Sequence, residues 1–490
     1  MVKVYCVGHD YTYELKELLK LIFPVEEIEL IIGDKANEVV EDYIITKIKH
    51  EGNLIRVEVE LLLDGQHEGE LQEHQFLNTD DHMLRKKSKH LLKRGILKLI
   101  KQVKNCNVPW GILTGIRPTK LVHELMEEGV REDEIYRVLQ EDYLLHKDKV
   151  DLLLTVAKTE DSYVYPIRED LISIYVSVPF CPTRCVYCSF PSNPMKQWGH
   201  MVKAYVDALC RELELTAVML KEKGKFIETI YIGGGTPTTL SPDDFNRIFD
   251  VLEASFDLRQ VKEITVEAGR PDTIDVDKLR VLKARGVTRL SVNPQTMNDC
   301  TLVEIGRNHT VEDLQLAFKL AREAGFDNIN MDLIVGLPGE DEAMVIHTME
   351  EIKDLAPENL TVHTLAIKNA SELKERTHEY ALKEEETIIN MLTITQRYAE
   401  AMGLRPYYMY RQKHMLGQLE NIGYSRVGYE GIYNIQIMEE KQTILAFGAG
   451  AVSKMVYPKE NRLERVPNVK NLEHYLTRVE EMVDRKKSYL

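Results

Sequence analysis

The chain has 490 residues, 44% hydrophobic and 29% charged, the composition of a folded globular protein and not of a disordered or fibrous one. Such a length exceeds one ordinary core, so two or three domains are expected. The formal net charge of −16 excludes a broad nucleic-acid surface, which would need clustered Lys and Arg, and leaves anionic ligands to a local basic pocket.

The opening MVKVYCVGHDYTYELKELLK lacks the basic, apolar and cleavable succession of a signal peptide, and no run of about eighteen uncharged apolar residues follows it. A cytoplasmic protein with no membrane span and no nucleic-acid partner is the expectation. Up to about residue 165, strand-like runs such as LIRVEVELLL mix with helix-like ones such as SKHLLKRGILKLIKQV, which predicts an α+β N-terminal domain (1–165). From Leu171 the texture changes. LISIYVSVPF, FIETIYIGGG, EITVEAG, RLSVNPQ, NINMDLIVGLP and NLTVHTLAI are six strand-like runs separated by segments of helical period. Ser241, with Pro242 and two acids behind it, is a helix N-cap in this pattern. Six strand-helix repeats with right-handed crossovers curl into an α/β partial (β/α)6 barrel, expected over 166–370, with chemistry at the C-terminal strand ends. The remaining 371–490 reads as a smaller, mainly helical C-terminal domain over the barrel mouth.

Of the seven cysteines, Cys6, Cys106, Cys210 and Cys300 are scattered, which gives no disulfide framework. The other three stand together in CPTRCVYC as Cys181, Cys185 and Cys188, in a loop after the first barrel strand. Structural zinc would need a fourth ligand, and no second cysteine pair or HxxxH pattern supplies one. Ordinary burial suits a loop poorly. Three thiolates with no fourth suit a four-iron cluster with one iron left open.

CPTRCVYC resembles the CxxxCxxC motif, with an aromatic before the last cysteine, of the radical S-adenosylmethionine (SAM) superfamily. The flanking YVSVPFC and IYIGGGTPT narrow the resemblance to the branch of oxygen-independent coproporphyrinogen III dehydrogenase and its related haem chaperone, a match running from about Tyr175 to Ser453. With WGILTGIRPTK, EAGRPDT and MYRQKHMLGQLEN added, the chain is similar to the HemZ group nearly end to end. The resemblance implies a 4Fe–4S cluster on Cys181, Cys185 and Cys188, and SAM at that cluster held by Tyr175, Tyr187, Gly234, Glu267 and Val452. It matches Gly235, Thr236, Gln295, Arg307, Asp332 and Leu365 to a second SAM.

Independently of the resemblance, Gly233 to Thr238 fails as a phosphate loop, since it has neither the spacing nor the lysine. Its glycines instead let backbone approach a ligand. Glu267, closing its strand, can accept hydrogen bonds from a ribose or an ammonium group. Arg411 and Lys413, with Arg117, are candidates for gripping substrate carboxylates. The activity that the resemblance implies is oxidative decarboxylation of coproporphyrinogen III propionates to vinyl groups, fed by an electron donor such as flavodoxin or ferredoxin, with Tyr175 and Arg411 as catalytic candidates. Phe190 departs from the dehydrogenase pattern, which has a fourth cysteine there, and the haem chaperone also has an aromatic. Haem carriage therefore stays open, with His363, His414 and Met415 as available ligands, as does radical chemistry on another tetrapyrrole.

Overall fold

The computed structural model describes all residues except 25–26, 34–41, 53, 76–80, 105, 191, 369–370, 376–383, 413–418 and 490. The chain divides into two compact units, Met1–Leu154 and Thr155–Leu490.

In the first unit, β1 (Val2–Val7), β2 (Ile28–Ile32), β3 (Asp42–Glu51), β4 (Leu54–Leu63) and β5 (Gln66–Gln75) form a mixed sheet in the order β2-β1-β3-β4-β5. The alternation of β4 sends Ile55, Val57, Val59, Leu61 and Leu63 to the buried side. The helix Asp81–Val103 covers that face with Leu92, Ile96, Leu97 and Ile100. Strands and helices mix in this unit, which ends at Leu154 where the sequence pattern placed the boundary near 165.

The second unit carries one sheet built on six parallel strands in sequence order: β6 (Leu171–Val178), then, after the two-residue strands β7 (Phe180–Cys181) and β8 (Asn193–Pro194), β9 (Phe226–Gly234), β10 (Glu263–Glu267), β11 (Arg289–Ser291), β12 (Ile329–Val335) and β13 (Asn359–Thr364). All six correspond to the runs read from the sequence. Local chemistry starts the intervening helices: Ser241 forms a capping box with Asp244, Thr310 forms one with Asp313, and Asp275 caps the helix Val276–Ala284.

The segment after 370 departs from the expected separate helical domain. β14 (Arg405–Tyr410) and β15 (Asn421–Ser425) extend the sheet antiparallel beyond β13. β16 (Thr443–Phe447) joins β6 in parallel, followed by β17 (Val452–Tyr457) and β18 (Arg462–Pro467). β16 is buried at Ile444, Leu445, Ala446 and Phe447, as a strand with neighbours and packing on both faces must be. Residues of β6, β7, β9 to β13 and β14 to β17 line one cavity of ≈ 590 Å³, so the sheet curls around it.

Candidate functional site

The cysteine loop leaves β6 at Pro179 and is pinned at both ends. β7 pairs with β8, and the backbone and side-chain amides of Asn193 both donate to the Pro179 carbonyl, at 2.8 and 2.9 Å. In its middle, Val186 is buried against Leu302, Ile305 and Leu373, and its N–H donates to the Ile305 carbonyl at 3.2 Å. Thr183 donates to the Gly306 carbonyl and accepts from Arg270, itself held by Asp272 through two hydrogen bonds. A loop so tied keeps Cys181, Cys185 and Cys188 as half-buried free thiols on the cavity wall. Burial pushes the Cys181 thiol up to about 11 and raises that of Cys188.

The glycine run sits directly against this loop. Gly235 N–H donates to the Val178 carbonyl at 2.8 Å and Thr236 N–H to the Phe180 carbonyl at 2.7 Å. A Cβ at Gly235 would lie 2.6 Å from the Phe180 carbonyl oxygen and 2.8 Å from Cys181 Sγ, so only glycine fits. The Thr236 hydroxyl lies 3.6 Å from the same sulfur. Gly234, at φ +115°, turns its N–H toward Glu267, whose Oε1 also accepts from the Tyr231 hydroxyl at 2.7 Å. Burial pushes the Glu267 carboxyl up to about 7. The rings of Tyr175 and Tyr231 stack 6.0 Å apart, and Tyr433 lies 4.4 Å from Tyr231.

Across the cavity, Gln295 adopts φ +64°, a conformation unusual for a side-chain-bearing residue, and is fixed by backbone hydrogen bonds to Asp332 and Ile334. Arg307 is 6% exposed, donates to the carbonyls of Asn293 and Gly269, and keeps its Nε without a partner among the described residues. Asp332 is half-buried, and desolvation alone would raise its carboxyl, yet donors from His363, Asn330 and Thr361 hold it below the usual range. Tyr187 and Leu365 complete this wall and Val452 lines the opposite strand.

The cavity thus gathers every residue expected at cluster or SAM. It does not gather all the expected substrate contacts. Arg411 is 7% exposed and absent from the cavity lining, while Tyr410 and Gln412 on either side of it line the wall. Arg117 is half-buried in the first unit. Lys413, His414 and Met415 fall outside the described residues. His363 lies in the cavity, 3.8 Å from Asp332 and 3.3 Å from the Tyr410 hydroxyl. The sequence reading also missed Tyr231, Tyr433, Asn293, Asn330 and Lys368 as lining residues. Period-2 polarity in NINMD, with Asn330 and Asp332 facing in and Met331 buried outward, was the available signal for Asn330. Phe190, 61% exposed, stands at the rim with Lys368 Nζ 5.5 Å from its ring centroid. Among the described residues no helix is long and apolar enough to cross a membrane.

The profile of the Radical SAM superfamily matches residues 175–352. The oxygen-independent coproporphyrinogen-III oxidase-like protein HemZ of Bacillus subtilis is 42% identical over 385 residues, 78% of this chain and 77% of that protein. The heme chaperone HemW of Bacillus subtilis is 34% identical over 288 residues, 57% of this chain and 70% of that one. Among solved structures, coproporphyrinogen III oxidase (HemN) from Escherichia coli, a radical SAM enzyme, superposes with a TM-score of 0.51 at 24% identity, over 67% of this chain and 73% of that one.

Proposed function

The chain belongs to the radical SAM superfamily and, within it, to the HemZ-like coproporphyrinogen-III oxidase-like proteins, and on that premise we propose that it converts two propionates of coproporphyrinogen III to vinyl groups without oxygen. The observation that carries the reading is the convergence of Cys181, Cys185 and Cys188 with the Gly235 backbone and the Glu267 carboxylate on one cavity. The superfamily implies a 4Fe–4S cluster and SAM, and these residues fit them: among the described residues three soft thiols stand without a fourth cysteine beside them, against backbone from which side chains are excluded. When bound, the two would supply a 5′-deoxyadenosyl radical able to take a hydrogen atom from a propionate β-carbon, and the vinyl group would form with release of carbon dioxide and of one electron to an external one-electron acceptor.

The protein's own part is binding, orientation and exclusion of water. Cys181, Cys185 and Cys188 hold the cluster. The Gly234 backbone, Glu267, Tyr175, Tyr187 and Val452 hold the SAM at it, with Glu267 accepting from ammonium or ribose. Gly235, Thr236, Gln295, Arg307, Asp332 and Leu365 are proposed for a second SAM. Half-buried Lys368 and exposed Arg184 at the rim supply cationic charge for propionates, in place of buried Arg411. A flavodoxin- or ferredoxin-type carrier is the proposed electron donor.

A second reading, haem carriage, is favoured by the similarity to HemW and by His363 facing the cavity. The deciding experiment reconstitutes the protein anaerobically with iron, sulfide, SAM and a reductant. Carbon dioxide and protoporphyrinogen IX from coproporphyrinogen III are expected, and a Cys185→Ser control should lose cluster and turnover together. Stoichiometric haem binding with SAM cleavage and no decarboxylation would establish carriage instead.

A further inference from the structure

The loop after β16 reads Gly448-Ala449-Gly450-Ala451, and its last three residues, with Val452, form part of the cavity wall. Its side chains are too small and apolar to fix their own position. The loop is held from outside. Gly448 N–H donates to Glu212 Oε2 at 2.8 Å, and its carbonyl accepts from Asn468 Nδ2 at 2.9 Å. Ala449 N–H donates to the Tyr205 hydroxyl at 3.3 Å, and that hydroxyl donates to the carbonyl of Ser177 on β6. At Gly448, with φ +97°, a Cβ would lie 2.6 Å from that same carbonyl, so loop and strand touch at backbone distance.

Glu212 is the hub. Besides Gly448 it accepts from Tyr475 at 2.6 Å, from Asn468 at 2.8 Å and from the Lys486 ammonium. Both Glu212 and Lys486 are 0% exposed. The Lys486 ammonium also lies 5.1 Å from the centroid of Phe447, the residue before the loop. Lys486 belongs to the chain's last helix, Val479–Lys487. Taking both charges out of water is unfavourable unless the geometry is excellent, and an apolar pair of similar volume would serve packing as well or better. What an apolar pair would lack is a fixed carboxylate to orient Gly448. The lysine supplies the counter-charge for that carboxylate.

We infer that Glu212 and Lys486, joined by Asn468, Tyr475 and Tyr205, form a positioning cluster that sets the Gly448–Val452 loop against SAM, so that the C-terminal helix governs SAM affinity. The inference rests on the proposed placement of SAM at Val452.

The test uses the full-length reconstituted enzyme. Tyr475→Phe deletes one donor to Glu212 while its ring keeps its contact with Tyr205, 5.4 Å between centroids. Lys486→Met leaves the carboxylate without its counter-ion, and Lys486→Met with Glu212→Gln makes the pair neutral. Iron and sulfide content, the SAM dissociation constant, and KM and kcat for SAM cleavage to 5′-deoxyadenosine are measured on each. Tyr475→Phe is expected to keep parental iron and kcat and to raise the dissociation constant and KM about three- to tenfold, the effect of one lost hydrogen bond. Lys486→Met should raise them further, and the double variant should recover part of the loss. Parental SAM affinity in Tyr475→Phe, or a fall in kcat with KM unchanged, overturns the inference, whether or not Lys486→Met folds. A parent enzyme that binds no SAM refutes the reading of the site instead, which keeps the two failures apart.

Discussion

Glu267 is half-buried at the end of β10, and its carboxyl is pushed up to about 7 mainly by desolvation, with the Tyr231 hydroxyl and the Gly234 N–H pulling the other way. A carboxyl raised in the folded state holds its proton where the unfolded chain has already released it. The folded state therefore loses stability as pH rises from the unfolded value through about 7, by on the order of 2–3 kcal/mol. Asp332, held low by its donors, acts in the opposite sense and costs stability only as pH falls into the carboxylate range. For the unliganded protein, urea midpoints should decline between pH 5.5 and 8, and Glu267→Gln should remove much of that decline. Equal declines in parent and variant would place the effect elsewhere. At and just past the end of β14, Tyr410 and Gln412 line the cavity while Arg411 between them is buried, and burial pushes it down to about 10 beside Glu420. Arg411→Ala should thus lower thermal stability by about 2 kcal/mol, through the packing that its buried side chain gives up, while substrate KM stays near parental. A large KM change at parental stability would restore Arg411 as a substrate contact. The cysteines were legible because their chemistry is local to eight residues of sequence. Gln295 at φ +64° and the Glu212–Lys486 pair, separated by 274 positions, have no local signature.

Among elements, the six parallel strands and their helices were legible because each carries its own start signal and its own period, as Ser241 and Thr310 show. The C-terminal strands were not. RPYYMY and NIGYS are short, and their burial comes from pairing with β13 and one another, contacts that sequence spacing does not reveal. The turn between β9 and the helix Pro242–Ser255 offers a direct test of how an element places the site. At Gly235 a Cβ would collide with the backbone carbonyl of Phe180 and with Cys181 Sγ, and neither the strand pair β7–β8 nor the neighbouring glycines can give way cheaply. Gly224 presents the converse case, with φ at +62° but open space around it. Gly235→Ala should lose most of its reconstituted iron and sulfide while staying folded by circular dichroism. Gly224→Ala should keep its iron and lose about 1 kcal/mol of stability. Full iron content in Gly235→Ala would mean that the loop accommodates the methyl group.

At the scale of the molecule, all residues lining the cavity belong to Thr155–Leu490, while the first unit has its own sheet and a core running from Val2 to Ile112, with Tyr143 and Leu144 packed against it. The division falls within the helix Lys147–Val164, so the natural cut precedes Lys147. The cluster loop, the glycine run, Glu267 and the Glu212–Lys486 hub all lie after it, and each is held by hydrogen bonds formed among residues of the second unit. Binding of a cluster depends on those local constraints and not on the charge of the whole chain. A chain beginning at Lys147 should therefore take up iron and sulfide in the same ratio per molecule as the full protein and cleave SAM with a similar KM. A chain ending at His146 should unfold cooperatively with the heat-capacity change of a buried core. If the longer piece is soluble and helical yet binds no iron, the site depends on the N-terminal unit, and a role for that unit in building the site replaces its independence.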